Sequence, residues 1–365
     1  MFRGHSDFVY PSYNRLVDAG VTSFQLVLSL FFNGPDIFNH QTLSVKGNFA
    51  EWNQFILNKV NEVKSRGFKK IHYDIYNEPD ISAIPIQDNN YNNNLMEGWK
   101  QAYQTIRKNH PDAIIVGPSV AYRRFLDGFL LKARDLNVLP DIVSYHNYGD
   151  PASVVNEVNE IRQFLKSNGI SDRPISANEI INEARWSEPG YVAGTLAAFD
   201  RAEIDSASHS CWNDSGDSNC NNNQLDGLFT PGGSQPRAGW QVYKAYGNLA
   251  GKIVSSSSVS DRVDVIASLD KASSRATVLI GKYGNDFREG TSVNLFGLNA
   301  NSNLVGATNK VHVRIELIPH TGLSPQLSTT VISDSDLPVN EEQVQISIPK
   351  LGISDAVVIY LSKGP

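Results

Sequence analysis

The first 250 residues alternate between two hydrophobic patterns. Apolar residues three and four positions apart predict helices, whereas short apolar runs bounded by turn residues predict strands. The predicted helices cover residues 13–19, 49–66, 95–109, 122–137, 151–168, 191–204 and 236–250. The predicted strands cover residues 21–30, 69–78, 113–117, 141–146, 174–179 and 206–212. Because each strand precedes a helix, the pattern indicates a parallel sheet, open or closed.

From residue 251 onward the hydrophobic period changes to two. Apolar and polar residues alternate in segments that are separated by Gly, Asn, Ser and Pro turns, and this predicts antiparallel strands with one buried face. The segments are residues 263–269, 276–283, 292–298, 310–318, 343–348 and 356–361. A serine run at 255–258 lies near the change. We therefore predict a β/α domain over residues 1–250 and an all-β sandwich over residues 251–365.

Two of the predicted parallel strands end in an Asn–Glu pair. Asn77 and Glu78 end the strand at 69–78, where the following proline stops the strand ladder, and residues 178–179 end the strand at 174–179. In a β/α barrel the carboxyl ends of the strands build the functional cleft. A lone glutamate after a strand is most often a surface residue, but two pairs at equivalent ends favour Glu78 and Glu179 acting together.

Other carboxyl groups compete for these roles. Period-two alternation places His72, Asp74, Tyr76 and Glu78 on one face of their strand, which would point into a barrel. Asp74 lies below the strand tip and Glu183 lies beyond the other tip, so both rank behind Glu78 and Glu179.

The charge of the chain argues against two classes of partner. A net charge of −6 gives no basic face for a nucleic acid or an anionic membrane. The longest apolar stretch, residues 24–32, is far shorter than the roughly 18 residues of a membrane span. With 365 residues, the chain is long enough for roughly two domains. Neutral substrates such as sugars fit this composition better.

The two cysteines, Cys211 and Cys220, lie nine positions apart in a polar segment and can close a small loop as a disulfide. They are too few for a structural zinc site, and no histidine pair lies beside them, so we predict no metal and no cofactor. A disulfide would imply a secreted or periplasmic location for a longer parent chain. The N-terminal residues of this chain show no signal peptide, and its localisation stays open.

The strand ends resemble a known family. Tyr-Asn-Glu-Pro at 76–79 and Ala-Asn-Glu at 177–179 look like the acid/base and nucleophile strands of the retaining (β/α)8 glycosidases of clan A. The most similar members are glycoside hydrolase family 39 and related polysaccharide-cleaving families. Further similar segments are residues 10–32, 114–119, 144–148, 211–213 and 236–240. The resemblance covers roughly residues 3–250 and implies a (β/α)8 TIM barrel followed by the sandwich.

The resemblance also implies roles for single residues. Glu78 would be the general acid/base and Glu179 the nucleophile of a double-displacement reaction on β-linked oligo- or polysaccharides. Asn77 would hydrogen-bond the 2-hydroxyl group of the sugar. His146 and Tyr148 would lie near the nucleophile, and Trp212 would form a sugar platform. Tyr148, Trp186 and Trp212 would wall the cleft, because aromatic faces stack on the apolar faces of sugar rings.

One departure separates the chain from that family. The barrel needs eight strands and the pattern predicts six, so the first strand and most of the second are missing from it. An open barrel would expose strand edges and favour self-association. The alternative function is therefore a non-catalytic carbohydrate-binding protein on a truncated barrel. A serine hydrolase is suggested only by residues 117–121, which lack the last glycine of the nucleophile elbow. A dinucleotide-binding fold is not indicated, because no G-x-G-x-x-G follows any predicted strand.

Overall fold

The computed structural model describes residues 13–28, 47–81, 89–181, 184–210, 225, 227–272, 274–284, 290–298 and 303–365. By its internal contacts the chain divides into two compact units. The first comprises Met1–Asn147, Glu160–Glu179 and Asp205–Ser208, and the second comprises Tyr148–Asn159, Ile180–Ile204 and His209–Pro365. The predicted domain boundary between residues 250 and 251 stays a prediction.

A parallel sheet organises the first unit, as the alternating pattern predicted. Its strands are β1 (Phe24–Val27), β2 (Ile71–Asp74), β3 (Ile114–Val120), β4 (Ile142–Asn147), β5 (Ile175–Ile180) and β6 (Ser206–His209), in that spatial order. The pairs from β1 to β4 run parallel. The six strands form a half-barrel, so the expectation of β/α barrel architecture is confirmed at this coarser level.

The helices follow the strands nearly where the periodicity predicted them. They are α1 (Phe49–Ser65), α2 (Asn89–Asn109), α3 (Arg123–Asp135), α4 (Pro151–Ser167), α5 (Pro189–Arg201) and α6 (Ala238–Gly247). Residues 13–18 are also helical. Within the described ranges, none of the helices is long and apolar enough to cross a membrane.

Aromatic side chains hold α1 and α2 together beside the sheet. Trp52 of α1 is fully buried, and its indole N–H donates to the carbonyl oxygen of Gly98 at 2.9 Å. Trp99 of α2 donates to the carbonyl oxygen of Val138 at 2.8 Å. Its ring occupies the space beside Gly117 of β3, where a methyl group would lie 2.6 Å from Cζ3 of Trp99. Glycine at this position therefore permits the close packing of helix on sheet.

Two antiparallel sheets form the β part of the second unit. The larger sheet has the order β12-β11-β14-β9-β8-β7, and the smaller one pairs β10 with β13. Their strands are β7 (Lys252–Val254), β8 (Val263–Leu269), β9 (Arg275–Lys282), β10 (Thr291–Leu295), β11 (Lys310–Ile318), β12 (Thr330–Pro338), β13 (Val344–Ile348) and β14 (Ala356–Lys363). The sequence analysis missed β7 and β12, which are the two edges of the larger sheet. Edge strands bury little on either face, so β12 carries a mostly polar sequence without clear alternation.

One hydrophobic core joins these two sheets. Its members come from β11, β13 and β14 among others: Val311, Val313, Ile315, Val344, Ile346, Ile348, Val357, Ile359 and Leu361. This shared core agrees with the predicted sandwich. Within the same unit, α5 packs backbone to backbone on β9, because Gly190 and Gly194 of the helix face Lys282, Tyr283 and Gly281 with no room for a side chain.

We predict that Gly117→Ala lowers the free energy of unfolding by about 1–3 kcal/mol, because the new methyl group overpacks against the buried Trp99 ring. Urea denaturation measures the change. Gly128→Ala in α3 is the matched control: a methyl group there meets nothing within 4 Å, and alanine favours the helix by up to about 1 kcal/mol. Equal stability of Gly117→Ala and the wild type would contradict this account of the packing.

Candidate active site

Glu78 lies four residues beyond the end of β2 in a strained but firmly held loop. Its φ of 51° is in the left-handed region, which is uncommon for a residue other than glycine. The Glu78 N–H donates to the carbonyl oxygen of Ser119 at 2.8 Å. Two residues later, the buried Asp80 carboxylate accepts the N–H groups of Ala121 and Tyr122 at 2.9 and 2.8 Å. These bonds tie the Glu78 loop to the end of β3.

Glu179 lies in β5, and His146 of β4 connects it to Glu78. His146 Nδ1 is 3.1 Å from Glu78 Oε1 and 3.5 Å from Glu179 Oε2. One polar atom from each of the three side chains lies within 4.8 Å of the other two. The side chains of His146 and Glu78 are 0% and 6% exposed, whereas that of Glu179 is 19% exposed. The two glutamates and one of the predicted binding residues thus form one cluster.

The surroundings of His146 favour the positively charged form of its ring. Burial disfavours the charged imidazole, but the hydrogen bond with Glu78 and the nearby carboxyl groups of Glu179 and Glu78 outweigh it. The pKa of His146 is therefore raised above its ordinary value. As an imidazolium, the ring carries an N–H on each nitrogen, and Nδ1 is the nitrogen that faces the two glutamates.

The composition of the cluster limits its chemistry. Two carboxyl groups on either side of an imidazole can exchange a proton with a bound molecule and supply a nucleophilic oxygen. Among the described residues, these three side chains also lie close enough together to coordinate a metal cation.

The other predicted site residues are distributed more widely. Asn77 is 3% exposed and directly precedes Glu78. Tyr148 follows β4, is half-buried, and belongs to the second unit. Trp212 lies outside the described residues, as do Cys211, Cys220 and Glu183. The binding roles predicted for these residues stay predictions.

Trp186 also belongs to the second unit, where it is 5% exposed. Its ring packs against Gly227, and the Arg237 guanidinium lies 5.1 Å from the ring centroid. The buried indole N–H has no hydrogen-bond partner among the described residues. Its predicted place in a cleft wall stays a prediction as well.

The expectation that Tyr76 shares a face with Asp74 is wrong. The Tyr76 hydroxyl donates to the carbonyl oxygen of Leu95, and its ring packs near Trp52 and Trp99 of the helices. Regular alternation ends because β2 stops at Asp74, so the following residues no longer keep the period of two.

A polar network around the buried Asp74 was not predicted as a group from the sequence. Asp74 Oδ2 accepts hydrogen bonds from Gln25 Nε2 at 2.7 Å, Ser119 Oγ at 2.7 Å and Asn178 Nδ2 at 3.0 Å. Ser119 Oγ also lies 2.7 Å from Ser144 Oγ. Five strands, β1 to β5, each contribute one of these side chains. Polar residues inside otherwise apolar strands were the available signal, but Asp74 had been weighed only as a rival carboxyl group, and Asn178 and Ser119 only within other motifs.

Comparison with known proteins supports the fold. No protein-family model and no curated protein matches the sequence. The solved structure of N2152 from Neocallimastix frontalis is 26% identical, with a TM-score of 0.74 over 87% of this chain and 76% of its own. A family 39 β-xylosidase from Caulobacter crescentus is 15% identical, with a TM-score of 0.62 over 98% and 83%. A family 44 endoglucanase from Clostridium acetobutylium is 14% identical, with a TM-score of 0.56 over 85% and 70%. The chain has the fold of the clan A glycoside hydrolases, and the predicted resemblance is confirmed for the fold.

We predict that His146→Gln destabilises the protein more at pH 5.5 than at pH 9. Because the folded-state pKa of His146 is raised, its stabilisation is fully present below the ordinary value of about 6.5 and is lost as the pH rises through the folded value. Breaking a buried charge pair costs on the order of 3 kcal/mol. Thermal melts across this pH range measure the difference, with exposed His320→Gln as the control. A pH-independent cost would contradict the assigned charge.

Proposed function

We propose that the protein is a retaining glycoside hydrolase that cleaves β-linked oligo- or polysaccharides. The observation that carries the proposal is the approach of Glu78 and Glu179, whose nearest polar atoms lie within 4.8 Å of each other and of His146. Retaining glycosidases hold their two carboxyl groups about 5 Å apart, whereas inverting enzymes keep roughly 6.5–9.5 Å for a water molecule. The short separation favours the double-displacement mechanism.

The different environments of the two glutamates favour different roles. Glu179 has the more exposed side chain, which suits a nucleophile that attacks the anomeric carbon. Glu78 is nearly buried and would donate a proton to the departing oxygen, then remove one from the water that releases the glycosyl group. His146 contacts both carboxyl groups and would balance the negative charge as it passes from one to the other.

The substrate is proposed at the level of β-linked neutral sugars. Relatives of the fold include a protein described as a glucosidase, a monomeric β-xylosidase and a xyloglucanase. Xylosides and glucosides are therefore the first compounds to test. Asn77 would contact the sugar 2-hydroxyl group, and Tyr148, Trp186 and Trp212 would supply aromatic contacts.

We also propose a correspondence with the eight-stranded barrel. Strands β1 to β6 would represent strands 3 to 8 of the clan A barrel, which puts Glu78 after strand 4 and Glu179 on strand 7. Strands 1 and 2 of that barrel have no counterpart among the strands that the described residues form. Because an open sheet edge can pair with another chain, self-association would be one way to cover it.

A non-catalytic carbohydrate-binding protein is the second candidate. It is favoured by the six-stranded half-barrel, because catalysis needs its groups held more rigidly than binding does. Turnover that depends on Glu179 separates the two candidates.

We predict that Glu78→Ala and Glu179→Ala each lower kcat on aryl β-glycosides at least about 100-fold, because each removes a group that acts in the transition state. Release of the aryl group and of reducing ends from β-glycans measures this loss. Azide should rescue Glu179→Ala and give a glycosyl azide of inverted anomeric configuration.

Glu97→Gln is the matched control, because this half-exposed glutamate of α2 pairs with Lys100 and lies outside the cluster. Retained activity in Glu179→Ala would overturn the assignment of the nucleophile. Well-folded wild-type protein that binds sugars but turns over none of them would favour the binding-protein candidate.

We further predict that the first product released from a β-glycoside is the β-anomer, because two displacements restore the configuration. Proton NMR during the first minutes of hydrolysis distinguishes the anomers before they equilibrate. Initial release of the α-anomer would indicate an inverting mechanism and a wider working separation of the glutamates.

A further inference from the structure

Asp74 is a fully buried carboxyl group for which the proposed reaction has no use. It is the last residue of β2 and is 0% exposed. Its Oδ2 atom accepts all three hydrogen bonds described above, whereas Oδ1 is buried and has no partner among the described residues. Burying a carboxyl group with one oxygen unsatisfied costs free energy, more so if the group is charged. This cost calls for a role beyond packing.

We propose that Asp74 is a positioning residue for the Glu78–Glu179 pair, held as a neutral carboxylic acid that ties together the strands carrying both glutamates. The inference rests on the proposed function and deepens it. Asp74 touches neither glutamate in the described contacts, so it acts through its neighbours.

The tie to Glu179 runs through the preceding residue. Asn178 donates from Nδ2 to Asp74 Oδ2 at 3.0 Å and to Ser119 Oγ at 2.8 Å. Both acceptors belong to other strands, β2 and β3. The side chain of Asn178 thereby fixes the part of β5 from which Glu179 projects.

The tie to Glu78 runs through Ser119. The Ser119 hydroxyl donates to Asp74 Oδ2, while its carbonyl oxygen accepts the N–H of Glu78. Ser119 itself has a φ of 51°, so its strained backbone needs such support. Ser144 Oγ accepts the Ser119 N–H at 3.0 Å and lies two residues before His146 in β4. One hydrogen-bonded network thus connects β2, which precedes Glu78, with the strands that carry His146 and Glu179.

The charge state of Asp74 matters because titratable groups face it. Glu179 of β5 and His146 of β4 interact with it electrostatically, whereas its partners from β1, β3 and β5 are neutral. Burial raises the pKa of Asp74 to about 7, against the hydrogen bonds from Ser119 and Gln25 and the charge of His146. The Glu179 charge raises it further.

This charge state has a functional consequence. Below neutral pH, Asp74 adds no third negative charge beside the glutamates. Above it, ionised Asp74 adds a buried negative charge beside the Glu78–Glu179 pair. The network therefore supports catalysis best when Asp74 is neutral.

Asp74→Asn is the decisive variant, because the amide keeps the shape and one oxygen acceptor but cannot ionise. We expect kcat/KM on an aryl β-glycoside to stay within about tenfold of the wild type at pH 5.5. The pH above which kcat/KM declines should be higher for Asp74→Asn than for the wild type. Asp74→Ala, which removes the tie, should lower kcat with little change in KM. Ser206→Ala is the control, because it removes the 2.8 Å hydrogen bond with Ser176 without touching this network.

Thermal melts test the charge state without any turnover. A carboxyl group whose folded-state pKa is raised binds more protons in the folded than in the unfolded chain, so stability falls as the pH rises from about 4 to about 7. The Tm of Asp74→Asn relative to the wild type should increase over this range and level off above it. The proposal would be overturned if the Tm difference between Asp74→Asn and the wild type stayed constant across this pH range and Asp74→Asn lost the same fraction of activity at every pH. If the wild type proves inactive on all glycosides, the proposed function fails, and the melts alone decide whether Asp74 is neutral.

Discussion

The parallel register of the half-barrel is the constraint on which the candidate site depends. Parallel strands bring their carboxyl ends to one edge, so side chains separated by about a hundred positions can meet there. Glu78, His146 and Glu179 come from three different βα units, and 3.1 and 3.5 Å separate the histidine nitrogen from the two carboxyl oxygens. Within the described residues, helix α2 packs directly on this sheet. The Trp99 ring against Gly117 shows how closely that packing is set.

The site combines strain and buried polar groups, and both lower stability. Residues such as Glu78 and Ser119, with positive φ, cost on the order of 1–3 kcal/mol each. Two kinds of hydrogen bond offset part of this cost: the one that Asp80 accepts from the N–H of Ala121, just after β3, and the one that Asn178 donates to Asp74. The carbonyl oxygen of Ser119 holds the loop of Glu78, and the side chain of Asn178 holds the strand of Glu179. Both of these groups are neutral. His146, whose pKa is raised, contacts both glutamates through Nδ1.

The second unit is stabilised mainly by apolar packing. Its sheets are held by an apolar core, and its helix α5 approaches β9 through glycines instead of interlocking side chains. The ion pair between the exposed Arg201 and the buried Asp264 lies in the same unit and joins α5 to β8. The β sheets therefore pack on α5 as well as on each other, and α5 is the helix that follows β5 in the chain.

Local pattern alone determined the order of elements and their type. Alternation of helical and apolar segments predicted the parallel sheet, and the Asn–Glu strand ends identified Glu78 and Glu179 before any geometry was known. Period-two reasoning failed at Tyr76, because it cannot foresee where a strand stops, and it missed β7 and β12, because edge strands lack a strong apolar face. The structure alone decided that His146 contacts both glutamates, that Gln25, Ser119 and Asn178 donate to Asp74, and that Ser144 contacts Ser119. Such contacts join residues far apart in the chain, and their partners are set by register and packing, which no local pattern encodes.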